Sequence, residues 1–169
     1  TVYMPGYKIT MLPDEVVQAY TLQAGRDCPA VSLYVTMDEA TFAIQATETR
    51  LEQVPITQNL RHDQLDSVVT EDWLQAGDEA AELTAAPGLR APLGFLWRLA
   101  KHLKAQREIV RGKPENFNRP DYNFRLVGND GNEPQGTEQV NISVRQRGAP
   151  LDLMVAEAMI LANSTWGNW

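Results

Sequence analysis

Apolar positions gather, with β-branched and aromatic side chains among them, in two neighbouring stretches. Residues 30–37, AVSLYVTM, are rich in β-branched and aromatic side chains and predict a strand; the acidic pair Asp38-Glu39 marks a turn, and residues 41–56, TFAIQATETRLEQVPI, predict a long returning strand. Before them, MLPDEVVQAY carries Pro13 and Asp14 at a position suited to starting a short helix. Residues 60–74 have apolar positions near helical spacing and predict one or two short helices, followed by a Pro- and Gly-punctuated connection over 78–92. Residues 92 to about 111 form the clearest helix: Leu93, Leu96, Trp97, Ala100 and Leu103 share one face, while Arg98, Lys101, Lys104 and Arg111 occupy much of the rest. DYNFRLVGNDGNEP then predicts a strand with a glycine-bearing turn, QVNISVRQR (139–147) its partner, and Gly148-Ala149-Pro150 the start of a last helix. The pattern is that of an α+β fold, a mixed or antiparallel sheet packed with helices, without repeats or an internal domain boundary.

The last helix poses a question. Residues 153–162 are apolar except for Glu157. A helix apolar all round is expected to be buried on more than one side, and a buried ionised carboxylate costs several kcal/mol unless a partner answers it. Arg119, Arg145 or a group outside the chain are the candidate partners for a structural ion pair; a ribose hydroxyl is the alternative.

Composition narrows the classes. A chain of 169 residues with 43% hydrophobic content and four tryptophans is long and apolar enough to bury a core. No apolar run approaches the roughly 18 residues that span a bilayer, and the N-terminal stretch lacks the pattern of a signal peptide, so no membrane association is expected. The single cysteine, Cys28, excludes an internal disulfide and fits a reducing compartment, which makes the cytoplasm the expected location. One cysteine and two distant histidines argue against structural zinc. The net charge of −7 is uneven: residues 90–119 hold eight basic residues against Glu108 and Glu115. That segment is either one cationic surface or a solvated helix face, and an acidic chain with one basic element is not a general polyanion binder.

Three motifs occur in order and at fitting distances: TVYMPGYKITMLPDEVV, NFNRPDYNFRL and LMVAEAMILAN. Together they resemble the central part of the catalytic RNB domain of the ribonuclease II and ribonuclease R family, where a Tyr-x-Pro-Gly…Met-Leu-Pro stretch, an Arg-Pro-Asp-Tyr strand and a Glu-Ala-Met-Ile-x-x-Asn helix follow one another. The detail of GAPLDLMVAEAMILANSTWG is closer to a bacterial ribonuclease II-type branch. The resemblance spans residues 1–169, which read as the central segment of one RNB-type domain.

The resemblance implies a parent protein that is a processive 3′→5′ exoribonuclease, hydrolysing single-stranded RNA to nucleoside 5′-monophosphates with Mg2+. Such chemistry uses clustered aspartates whose cations stabilise the attacking and leaving oxygens of an in-line displacement at phosphorus. The family carries that cluster upstream of the Tyr-x-Pro-Gly stretch, so the metal ligands are expected outside this chain, which then contains no catalytic residue and is inactive alone. Its own acid pairs, Asp14-Glu15, Asp38-Glu39 and Glu71-Asp72, fall at helix starts and turns and are expected to be solvated caps.

What remains for this chain is the wall of an RNA channel. The resemblance places Tyr3 where an aromatic ring stacks on a base near the RNA 3′ end, and Phe117 near the opposing ring, with the spacing to Arg119-Pro120-Asp121-Tyr122 different by one residue. His62 stands where other members have a sugar-contacting tyrosine; a histidine also donates to a 2′-hydroxyl. At the position of the sugar-contacting acid this chain has Ala156, and Glu157 keeps the second acid of the pair. Tyr3, His62, Phe117 and Glu157 are therefore the candidate RNA contacts. The competing reading is a catalytically silent RNB-like module that binds single-stranded RNA or a protein partner.

Overall fold

A computed structural model of the chain describes residues 1–5, 7–76, 82–84, 87–115, 120–128, 134–146 and 148–168, without the side chains of residues 7, 62, 63, 145 and 146. The chain divides into two compact units, Thr1–Thr21 with Phe117–Arg147, and Leu22–Asn116 with Gly148–Trp169.

The first unit holds two antiparallel hairpins and a short helix. Strands β1 (Val2–Met4) and β2 (Tyr7–Ile9) pair so that Tyr3 faces Lys8 directly. Helix α1 (Asp14–Tyr20) begins behind Pro13, with Asp14 and Glu15 in its first turn, where the helix dipole favours carboxylates. Strands β5 (Pro120–Leu126) and β6 (Val140–Gln146) form the second hairpin. Its register sets Tyr122, Phe124 and Leu126 opposite Val144, Ile142 and Val140, and since directly opposed residues share a face, these six make one side of the ribbon largely apolar. Asn123 and Arg125 face Ser143 and Asn141 on the other side. The apolar side stays half-exposed.

In the second unit β3 (Arg26–Met37) and β4 (Ile44–Ile56) make a long antiparallel ribbon. β3 starts earlier than its apolar run predicts, because Arg26 to Pro29 pair with Ile56 to Gln53. In a two-stranded ribbon every strand is an edge, where proline is tolerated. The predicted acidic turn is built by Asp38, whose Oδ1 accepts from Thr41 N (2.8 Å), Ala40 N (3.1 Å) and Thr41 Oγ1 (2.8 Å). These bonds hold the Asp38 carboxyl below the usual carboxylate range, Thr41's hydroxyl contributing most. Phe42 follows at φ 56, a strained setting for an aromatic residue. Its ring lies against Phe95 (5.8 Å between centroids) and His102 (5.3 Å), contacts that hold the turn in place.

Helices α2 (His62–Leu65), α3 (Glu71–Gln75), α4 (Arg90–Arg111) and α5 (Pro150–Gly167) complete this unit. Thr70 caps α3 by accepting from Trp73 N, with Glu71 and Asp72 in the first turn, and Gly112 ends α4 in the left-handed conformation. The core joins Leu65 and Val69, Leu83, Leu93, Trp97 and Ala100 of α4, and Leu151 and Met154 of α5. Each such aliphatic side chain contributes about 1.5–3 kcal/mol on full burial.

Two expectations are corrected here. On α4, Leu96 is exposed and Leu99 is buried, because Phe42 packs on the side of α4 that carries Phe95 and His102, giving the helix a second covered face. Helix α5 is not enclosed on several sides: only Pro150, Leu151, Met154 and Glu157 are buried, a single stripe at helical spacing, while Val155, Met159 and Ile160 are exposed.

Candidate nucleic-acid interface

Glu157 has its partner inside the chain. The carboxylate is 2% exposed and accepts from Arg107 Nη2 at 2.5 Å; the same nitrogen also donates to Glu115. The partner is thus Arg107 of the basic helix. Of the pairings expected from sequence, Arg119 lies outside the described residues, as does the side chain of Arg145. Arg107 sits seven residues after Ala100 and ten after Trp97, so it continues the apolar face of α4 towards α5. That spacing was readable in the sequence. Glu115 carried no comparable signal: it reaches Arg107 only because Gly112 reverses the chain, and its own backbone N donates to Glu108 (2.8 Å).

The electrostatics follow from this geometry. Arg107 holds the Glu115 carboxyl below the usual carboxylate range, with Arg111 (3.2 Å) adding to the effect, and Glu115 followed by Glu157 raises the Arg107 guanidinium further above its ordinary value. A carboxyl depressed in the folded state contributes stability above its unfolded pKa of about 4.5, and that contribution is lost as pH falls through the lower folded value. The urea midpoint should therefore drop on acidification from about pH 5 to about pH 3, and Glu115→Gln should flatten part of that slope. Superimposable profiles for the two proteins would show that Glu115 contributes nothing to acid lability.

The basic helix is not a free cationic surface. Lys104 pairs with Glu108 (3.7 Å), Arg107 with Glu115 and Glu157, Arg111 with Glu115, and Arg90 with Glu82 (3.4 Å). Lys101 lies over the Trp97 ring, 5.4 Å from its centroid. Among the described residues of segment 90–119, Arg90, Lys104, Arg107 and Arg111 are thus answered by the chain's own acids, which supports the solvated-face reading.

Tyr3 stands differently. It is 81% exposed on β1 and lines an open groove together with Lys8. His62 opens α2, its side chain outside the described residues, and Phe117 lies outside them altogether. Tyr3 belongs to the first compact unit, His62 and Glu157 to the second. Glu157, occupied by Arg107 and closed to solvent, has the setting of a structural acid. Lys8 and Arg107 were both missed in the sequence, Lys8 because its position opposite Tyr3 depends on the register of the first hairpin.

Among the described residues no group of three or more His, Cys, Asp or Glu side chains is placed to hold an ion, and Asp38, Glu71 and Asp72 serve the turn and helix start already described. Among the described residues no helix is long and apolar enough to cross a membrane.

The chain thus combines an α+β fold with an exposed aromatic beside a groove and a buried ion pair between α4 and α5, and comparison with known families gives its class. The RNB domain model matches residues 1–169, and the chain belongs to that family. RNB domains occur in hydrolytic exoribonucleases, a family that binds RNA. No curated protein matches the chain significantly.

Proposed function

We propose that this chain is the central segment of a ribonuclease II-type 3′→5′ exoribonuclease of bacterial type, which hydrolyses single-stranded RNA to nucleoside 5′-monophosphates in the cytoplasm. The observation that carries this reading is the family match across residues 1–169, which contain the Tyr3, Arg119-Pro120-Asp121-Tyr122 and Glu157 motifs together. In this reading the chain supplies channel wall and core, and Mg2+ is held by acids outside it. The uncovered apolar side of the β5–β6 hairpin and exposed Val155, Met159 and Ile160 on α5 support a segment that other chain packs against.

Tyr3 is the RNA-stacking residue of the proposal, since an exposed ring is what a base needs. His62 and Phe117 remain assigned as a sugar contact and an opposing ring. Glu157 is left as a positioning residue that fixes α5 on α4 through Arg107. In the intact protein, Tyr3→Ala should weaken single-stranded RNA binding by about 1–3 kcal/mol with little change in salt dependence, because stacking releases no counterions. A Lys101→Ala, Lys104→Ala double variant should change little, given the pairing of Lys104 with Glu108. RNA affinity measured across a salt series checks both; wild-type binding by Tyr3→Ala throughout would remove Tyr3 from the channel.

A further inference from the structure

The first hairpin carries more than an exposed ring. Tyr3 and Lys8 are directly opposed across β1 and β2, so both side chains leave the same face, with Cβ atoms roughly 4.5–5.5 Å apart as in any such pair. They line one open groove of about 440 Å³, within the roughly 300–1,000 Å³ of small-ligand sites. Met11, Leu12 and Val17 give it an apolar wall, and Thr1 and Thr10 bring hydroxyls. No carboxylate is among its described lining residues. Lys8 is exposed and has no ion pair among the described residues, in contrast to the cations of α4 that glutamates answer. An aromatic face, an apolar wall and an unanswered ammonium, side by side, match the parts of a nucleotide: a flat base and an anionic phosphate.

We propose that the groove between the β1–β2 hairpin and α1 is a nucleotide seat in which Lys8 binds the backbone phosphate of the nucleotide whose base lies on Tyr3. The inference rests on the RNA-contacting reading of Tyr3 and adds a residue and a division of labour to it: the ring contributes sequence-tolerant affinity, and the lysine contributes the salt-dependent part. Lysine suits the task, because a flexible point charge follows a backbone without imposing bidentate geometry.

The test uses the intact protein with EDTA present to stop hydrolysis, and a short fluorescein-labelled oligouridylate followed by anisotropy across a salt series. Tyr3→Ala should bind about 5–150-fold more weakly at every salt concentration. Lys8→Ala should reduce the slope of log affinity against log salt by about 0.7, so that its defect is about 2.6-fold larger at roughly 50 mM than at roughly 200 mM salt. Lys8→Arg should retain the wild-type slope, and Lys8→Glu should bind more weakly than Lys8→Ala. If Tyr3→Ala is defective while Lys8→Ala and Lys8→Glu keep the wild-type affinity and slope, the phosphate contact is wrong and the stacking reading stands. If Tyr3→Ala binds like wild type, the RNA-contacting reading fails, and the nucleotide seat fails with it.

Discussion

Arg107→Ala should destabilise the protein by about 3–5 kcal/mol, more than any other single change at the junction of α4 and α5. The reason is the asymmetry between the two partners. Glu157 is 2% exposed, so without Arg107 its charge is left in the interior with no compensating donor among the contacts described, and it carries the desolvation penalty. Arg107 is 21% exposed and has a second carboxylate in Glu115. Glu157→Gln therefore leaves the arginine paired, and the new amide oxygen still accepts a bond, so that variant should lose only about 1.5–3 kcal/mol, the value of a hydrogen bond to a charged group. Removing both charges, as in Arg107→Met with Glu157→Leu, should recover part of the loss, because apolar side chains of similar volume satisfy the same space without desolvation. Urea unfolding of the four proteins, followed by tryptophan fluorescence, ranks them directly. An Arg107→Ala midpoint equal to wild type would mean that the ion pair does not hold the two helices together.

The second large effect concerns catalysis. The 169-residue chain alone, supplied with magnesium or manganese and a 5′-labelled single-stranded RNA, should release no nucleotide, whereas the intact protein should accelerate hydrolysis by a factor of at least about 10⁶. Stabilising charge on the attacking and leaving oxygens of a phosphodiester calls for convergent acids that hold cations. Six of the acids described in this chain are committed elsewhere. Asp38 holds a turn, Glu71 and Asp72 start α3, Glu108 binds Lys104 and the Glu115 amide, and Glu115 and Glu157 share Arg107. Gel analysis checks this: EDTA-sensitive 3′-shortening by the isolated chain, persisting through a second purification step, would show that it carries a metal site of its own.

Much of the fold was legible because strands and helices impose different periods on the chain. The β-branched and aromatic content of residues 30–37, the acidic turn after them and the returning stretch 41–56 predicted the β3–β4 ribbon, and the spacing of Leu93, Trp97 and Ala100 predicted α4 and the centre of its buried face. What periodicity lacked was knowledge of what lies on each side. Leu99 is buried in place of Leu96 because Phe42, fixed in a left-handed turn, covers a second face of α4. The apolar run of α5 read as enclosed all round, yet its buried residues are confined to the stripe through Leu151, Met154 and Glu157, with Leu153 partly buried beside it. Glu157 was recognisable as an acid in need of a partner, but Arg107 was one of several basic residues on α4; joining them required the packing of one helix on the other. The RNA-facing role of Tyr3 came from family resemblance. Its exposure, and the lysine opposite it, came from the register of a hairpin too short to announce itself in the sequence.

The most direct test of the exoribonuclease reading is the product pattern of the intact protein with magnesium on two single-stranded RNAs, one labelled at the 5′ end and one at the 3′ end. The 5′-labelled RNA should shorten progressively from its far end, while the 3′-labelled RNA should yield labelled nucleoside 5′-monophosphate from the first turnover. Internal fragments, shortening from the 5′ end, or binding without any cleavage would contradict it, the last of these pointing to a silent RNA-binding module.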